Sequence, residues 1–364
     1  MRKFFVTLFI LSFFLIPSAQ AARPVIRIVD KAHTNFDGSF RDNELAVSLL
    51  PNGKLGKLIF ATNSSHITFV IDAALVDEVQ QMAKGYTFDG KEDLGGQQTA
   101  QNWLFRLKNA VMSNLVVALP YRNPDEKLLK SIAPAELPFY SHYAQTHLEL
   151  ALGRTVTIEN GWGSGSSHLT SKSRFDYMED RRLISGLTTI NSSPEIENLR
   201  AQLAIVLNPL LRSDERSYYS HDEVASVKKM SDRLKVIPGR YQITSRSAKL
   251  PITLVNDFDT ASVVSVSLTP MNSRIQIENL DPITIAAKSR QQVLVPVDVI
   301  APGTTLVLAQ FINAKGQLVG QASNLNITST IIDSRVAWFT TGAAVLLFLG
   351  AITQSVRRVR RSRS

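Results

Sequence analysis

Apolar positions in the first two-thirds of the chain come in two forms. Short solid runs such as VIRIVD (Val25–Asp30), HITFVID (His66–Asp72) and LVVALP (Leu115–Pro120) read as buried strands. Between them lie stretches with apolar residues at helical spacing: Arg41–Leu50, ended by Pro51-Asn52-Gly53; Ala73–Lys84, ended by Gly85; and Ala100–Met112, with Trp103, Leu104, Leu107 and Val111 on one side. Asp125–Ile132, Glu195–Leu211 and Val224–Leu234 read as further helices, and Thr155–Glu159 and Leu183–Ile190 as further strands. Strands alternating with helices predict an α/β domain with a mostly parallel sheet or an incomplete β/α barrel.

From about Gly239 the period falls to two. Short alternating runs from Tyr241 to Thr328, separated by turn signals such as Asn256-Asp257 and Pro302-Gly303, predict an immunoglobulin-like β-sandwich. A third pattern follows. Val336–Ile352 carries no charge, and Thr353–Val356 extends it until Arg357. About 20 apolar residues cross a bilayer core as a helix, so 336–356 is expected to be a transmembrane helix. At the other end, Arg2-Lys3, an apolar run over Phe4–Ile16 and a small-residue site at Ala19-Gln20-Ala21 predict a signal peptide over 1–21. The expected organisation is therefore signal peptide 1–21, exported α/β domain 22–236, sandwich 237–330, membrane helix 336–356 and cytoplasmic tail 357–364.

Charge supports that division. The chain carries a net +9. Arg2, Lys3 and the tail arginines 357, 358, 360, 361 and 363 account for seven of those charges, leaving +2 for the exported part. The positive-inside bias places the tail in the cytoplasm and the domains outside. No basic–aromatic stripe accompanies the charge, so a nucleic-acid partner is not expected. The sequence has no cysteine, which excludes disulfides, thiol catalysis and cysteine-ligated metal.

Candidate chemistry lies where ligands meet parallel sheets, at the carboxyl ends of strands. Asp30 with His33, Asp72, Tyr121 with Asp125, and Trp162 in the GWGSGSS loop fall there. Two carboxylates with Tyr and Trp platforms suit glycoside hydrolysis or sugar binding, with Asp30 and Asp72 as the catalytic pair and His33, Tyr121, Asp125 and Trp162 on the substrate. Equally, Asp30, Asp72 and Asp125 suit helix caps, and the glycine-rich loop reads as mobile. His142 and His147, five apart, do not share a helical face, and no metal or other cofactor is expected.

The runs ITFVIDAALVDEVQQMAKGY, TAQNWLFRLKNAV, VVALPYRNPDEKLL and PITLVNDFDTASVVSVSLTP, closed by one apolar helix and an RR-x-RR tail, resemble an actinobacterial cell-envelope family of unknown function. The resemblance implies a single-anchor exported protein of cell-wall biogenesis, often encoded beside the lipid II flippase. Three functions are compatible with it: a scaffold binding a cell-wall glycan or an envelope membrane protein, a carbohydrate hydrolase, or an accessory subunit of a precursor-transport complex. The last would pack through Thr340–Ala343, whose small residues allow close helix approach.

Overall fold

A computed structural model describes residues 23–62, 66–159, 161–278, 280–330 and 334–361. The expected signal peptide lies outside the described residues. The α/β domain is built on four parallel strands, β1 (Val25–Ile28), β2 (Thr68–Asp72), β3 (Leu115–Leu119) and β4 (Thr157–Ile158). They lie side by side in chain order, with Arg27, Val70, Val117 and Thr157 in one cross-strand row. Each crossover steps the same way, so uniform handedness places the connecting helices on one face. The sheet is an open arc in which β1 and β4 have no outer neighbour among the described residues.

The pleat sends alternate side chains to opposite faces. Ile28, Phe69, Ile71, Val116 and Ala118 join the main core beneath the helices. Val70, Val117 and Leu119 form a small separate cluster on the other face. Helices α1 (Glu44–Leu49) and α2 (Lys54–Phe60) follow β1; α3 (Ala73–Lys84) and α4 (Leu94–Val111) follow β2; α5 (Glu126–Ile132) and α6 (Glu136–Leu152) follow β3. Gly85 ends α3 with φ 115°, a conformation that costs glycine little. Two helices, α2 and α6, had no counterpart in the periodicity reading. The core of α6 mixes Leu137, Ala144 and Leu148 with Glu136, Tyr140 and Ser141, which blurs the apolar stripe.

One expected strand is a helix. Leu183–Leu187 forms the last turn of α7 (Ser171–Leu187), whose Tyr177, Asp180, Ile184 and Leu187 are buried at helical spacing, and Thr188–Ile190 follow as a turn. The polar first half hid that face, and the β-branched Thr188–Ile190 lie beyond the helix end. Helices α8 (Pro194–Gln202) and α9 (Ser213–Ser231) complete the set.

Apart from a short hairpin pairing Thr87–Phe88 with Lys91–Glu92, the remaining strands form two sheets. One contains β6 (Gly239–Ile243), β8 (Ser262–Pro270), β10 (Ile283–Ile285), β12 (Gly303–Ile312) and β13 (Leu318–Ser329) in the order β10-β8-β12-β13-β6. The other contains β5 (Leu234–Val236), β7 (Ser247–Asn256), β9 (Ile275–Ile277) and β11 (Ser289–Val299) in the order β9-β11-β7-β5. Alternating buried positions such as Val264 and Val266, and Val295 and Val297, face one another between the sheets, giving the expected sandwich.

No free linker separates the two parts. Asn191 donates to Ser262 Oγ at 2.7 Å and accepts from Thr260 Oγ1 at 2.8 Å, while the Val263 amide donates to the Ile190 carbonyl at 3.1 Å. Asn313 reaches Thr189 at 3.1 Å, and Arg233 lies 4.4 Å from the centre of the Phe258 ring. A single apolar core runs through both parts.

After the sandwich comes α10 (Ser334–Arg361). The described side chains from Thr341 to Gln354 are all exposed, including Leu346, Leu347 and Phe348. Among the described residues no helix is long and apolar enough to cross a membrane. The expected span 336–356 extends beyond those described side chains at both ends.

Where α7 packs on α9, a fully buried Glu223 has neither carboxylate oxygen hydrogen-bonded, and Oδ2 of the nearby Asp180 is likewise unpartnered. Burial, then the charges of Asp176 and Glu179, push the Asp180 carboxyl up to about 7. Burial, then Asp180 and Asp176, raise Glu223 well above the ordinary range. The folded state therefore holds protons that the unfolded chain releases above about pH 4, so this contact loses stability as pH rises from about 4 through about 7. Thermal melts should show a lower Tm at pH 8 than at pH 5, a difference of about 2–4 °C for each kcal/mol lost. Glu223→Gln should reduce it by raising the Tm at pH 8.

Candidate functional site

Asp72 ends β2 and caps α3. Its Oδ1 accepts the amides of Ala74 at 3.1 Å and Arg122 at 3.0 Å, and the side chain is buried. Burial pushes its carboxyl up to about 7 against the opposing pull of the Arg122 guanidinium and the two amides. Asp30 accepts Lys54 Nζ at 2.8 Å, Ser48 Oγ at 3.3 Å and the Lys31 amide at 3.0 Å. Asp125 caps α5 by accepting the amides of Lys127 and Leu128 at 2.9 and 3.1 Å. The capping reading thus accounts for Asp72 and Asp125, while ion pairing occupies Asp30. Neither Asp30 nor Asp72 lines the hollows described below.

Trp162 sits on the sheet face opposite the helices, against Val70, Val117 and Leu119, with Nε1 donating to Glu159 at 2.8 Å. Its loop is held at Gly163, whose amide donates to Glu126 at 3.1 Å, and at Ser167, whose amide donates to Asp125 at 2.8 Å. The loop expected to be mobile is thus fastened by the first residues of α5.

His33 is buried, with Nδ1 2.7 Å from Asp42 Oδ1 and Nε2 unpartnered. Burial alone would lower its pKa, but the Asp42 hydrogen bond and the Glu78, Asp42 and Asp30 charges outweigh it and raise it. Next to it lies the most connected group of the domain. Arg122, fully buried after β3, pairs through Nη1 with the equally buried Glu78 of α3. Its Nη2 donates to Thr34 Oγ1 at 3.1 Å and to Gln202 Oε1 of α8 at 2.5 Å. Arg122 and Asn123 both adopt left-handed φ, 67° and 47°, which turns the arginine back under the helices.

Over this network lies a cleft of about 530 Å³, lined by the loop Thr34–Gly38, α3, Tyr121, α6 and α8. Asp77 Oδ2 accepts Tyr121 OH at 2.9 Å and lies 2.7 Å from His147 Nδ1. The His147 imidazole stacks on Tyr143 with centroids 4.2 Å apart, and Tyr121 meets Tyr143 edge-on at 4.9 Å. Of the residues assigned from sequence to catalysis or substrate, Tyr121 alone lines this cleft, joined there by His147, which the sequence reading weighed only as a metal ligand. Asp77 and Tyr143, and the part His147 plays beside them, were missed because their grouping depends on α3 packing against α6. The cue available was Asp77 one turn into a helix after a strand.

The cleft shares lining residues with two further hollows. Across the Gln81–Gly38 contact, where Nε2 donates to the carbonyl at 2.6 Å, it neighbours a hollow of about 580 Å³ beside Phe40, Tyr86 and Asp93. Through Phe36, Asp37 and Glu195 it adjoins one of about 350 Å³ beside Lys229 and Arg233.

The model of a family of unknown function, DUF6049, matches residues 160–364, more than half of the chain, and the chain belongs to that family. The match takes in α7–α9, the sandwich and α10, and leaves out the parallel sheet. No curated protein matches the chain. Among solved structures it is similar to the native α-2-macroglobulin of Escherichia coli, at 14% identity and TM-score 0.22 over 27% of this chain and 6% of that one. It is also similar to the Caenorhabditis elegans MSP family member WR4, at 9% identity and TM-score 0.22 over 27% of this chain and 98% of that one. At these scores neither likeness bears on function, and the sandwich rests on its own strand pairing.

Glu78 and Arg122 are each 3% exposed, so Arg122→Met should leave an unpaired buried carboxylate and destabilise the fold by about 3–5 kcal/mol. Urea unfolding of Arg122→Met beside Arg122→Met/Glu78→Gln checks this, with the double variant recovering part of the loss.

Proposed function

We propose that this protein is a membrane-tethered, extracytoplasmic component of the cell envelope that holds a wall glycan in the groove over α3, α6 and α8 without cleaving it. The observation that carries the reading is the row of three neighbouring hollows with shared lining residues, which suits an extended polymer better than a compact metabolite. The Tyr143–His147 stack offers an amphipathic face for sugar rings, and Gln81, Asn198 and Gln202 bring amide groups to its rim. A binding role also agrees with the occupied state of Asp30 and Asp72.

Tethering is supported by α10. From Thr341 to Gln354 it has no charge, and its apolar side chains are exposed with no protein cover. A helix apolar on all sides needs an apolar surround. The arginines after it favour a cytoplasmic tail. The likeness to envelope proteins noted from the sequence supports cell-wall biogenesis as the setting.

Two measurements test the proposal. In intact cells a membrane-impermeant maleimide should label Ser273→Cys and should label Ser362→Cys only after permeabilisation; the cysteine-free chain gives no background. The reverse pattern would sink the topology. For the groove, Tyr143→Ala in the full-length detergent-solubilised chain should weaken binding to wall-glycan fragments by about tenfold, a loss of about 1.4 kcal/mol, as read by calorimetry. Unchanged binding would remove the groove from the ligand site.

A further inference from the structure

Charge along the central hollow is one-sided. Four carboxylates line it, those of Asp37, Asp77, Glu78 and Glu195, and no lysine or arginine does. Arg122 beneath the floor offsets Glu78, and Arg233 at the rim offsets Glu195. Asp77 is paired with His147, which offsets it only when the imidazole is protonated, and Asp37 lies within the field of Lys229 in the adjoining hollow. Asp37 is exposed and held ionised by the hydroxyl and amide of Ser39, at 2.6 and 2.9 Å. Asp77 uses one oxygen, Oδ2, for both Tyr121 and His147, and its Oδ1 accepts no hydrogen bond among the described residues. Its side chain keeps 26% of its exposure, so that oxygen is within reach of solvent or ligand.

Aromatic groups surround this carboxylate. Tyr121 and His147 are both bonded to Asp77, and Tyr143 stacks on the imidazole. A carboxylate with a free oxygen at the edge of the half-buried Tyr143–His147 stack is a recognition set for an ammonium group. It has much less to offer a neutral amide, which brings no full positive charge. The stacked rings also provide a platform for a sugar ring next to that amine. We propose that the central hollow binds an amino sugar with a free, protonated amine, the ammonium meeting Asp77 Oδ1 within the field of Asp37. This rests on the groove being the glycan site and adds that chain segments lacking N-acetylation are preferred.

Calorimetry on the full-length chain in detergent micelles, with a glucosamine tetramer and its fully N-acetylated counterpart at about pH 6, tests the idea. The expected result is binding of the free-amine tetramer at least about tenfold tighter than the acetylated one, weakening as NaCl rises from about 50 to about 300 mM. Asp77→Asn should reduce that preference to about twofold at most. Should Asp77→Asn lower the Tm sharply, exposed Asp37→Asn gives the same readout with a smaller loss. Equal or tighter binding of the acetylated tetramer would overturn the amine assignment and leave the groove as a glycan site. Failure of both tetramers to bind would overturn the glycan reading as well. A lysine-bearing tetrapeptide binding as tightly as the glucosamine tetramer would overturn the sugar and keep only the amine.

Discussion

The buried ion pair between Arg122 and Glu78 is the constraint on which the α/β domain depends. Two charges withdrawn from water are tolerable only when further hydrogen bonds satisfy what the pair leaves over. Thr34 and Gln202 supply them, and both are drawn into fixed positions as a result. The loop after β1, the first turns of α3 and the end of α8 are thereby gathered around one guanidinium. These same elements wall the central hollow. The groove is thus the outer surface of a polar network rather than a gap left between apolar helices. Its shape should be as rigid as that network.

A second constraint fixes how the groove stands relative to the sandwich. Asn191 satisfies groups on both sides of the junction, and α7 packs along β13. With one core running through both parts, the sandwich acts as a rigid pedestal and not as a hinged stalk. The family match spans α7–α9, the sandwich and α10 together, which treats the pedestal and the helices welded to it as one unit.

Much of this architecture was legible from periodicity. The solid runs at Thr68–Asp72 and Leu115–Leu119 became central strands, and the Ala73–Lys84 helix has the bounds that its pattern and Gly85 dictate. The alternation after Gly239 became the two sheets. Legibility failed where buried faces are polar. In α6 and α7 the core positions include Glu136, Ser141 and Asp180, which a hydrophobic template scores as solvent-facing. The site failed for a related reason. Reading acids at strand ends finds Asp30, Asp72 and Asp125, and those are the positions where free backbone amides and nearby cations most readily claim a carboxylate. Asp77, five residues further on, sits on a helix and escapes that fate.

That displacement bears on mechanism. An acid at the carboxyl end of a parallel strand competes for its ligand with the amides of the following helix, and in Asp72 the amides have won. A carboxylate one turn into α3 meets no free amide, because the helix has already bonded its own. Asp77 turns instead to side chains on a neighbouring helix and strand end, His147 and Tyr121, and they occupy one oxygen only. The remaining oxygen stays available and oriented, which is what a binding group requires. Glycoside cleavage requires a second carboxyl at a fixed separation across the scissile bond. Asp37 stands on an exposed turn, Glu78 is committed to Arg122, and Glu195 pairs with Arg233. Among these carboxylates none combines access with a rigid position opposite Asp77. On the binding role proposed above, Asp77 would hold its ligand through that one available oxygen.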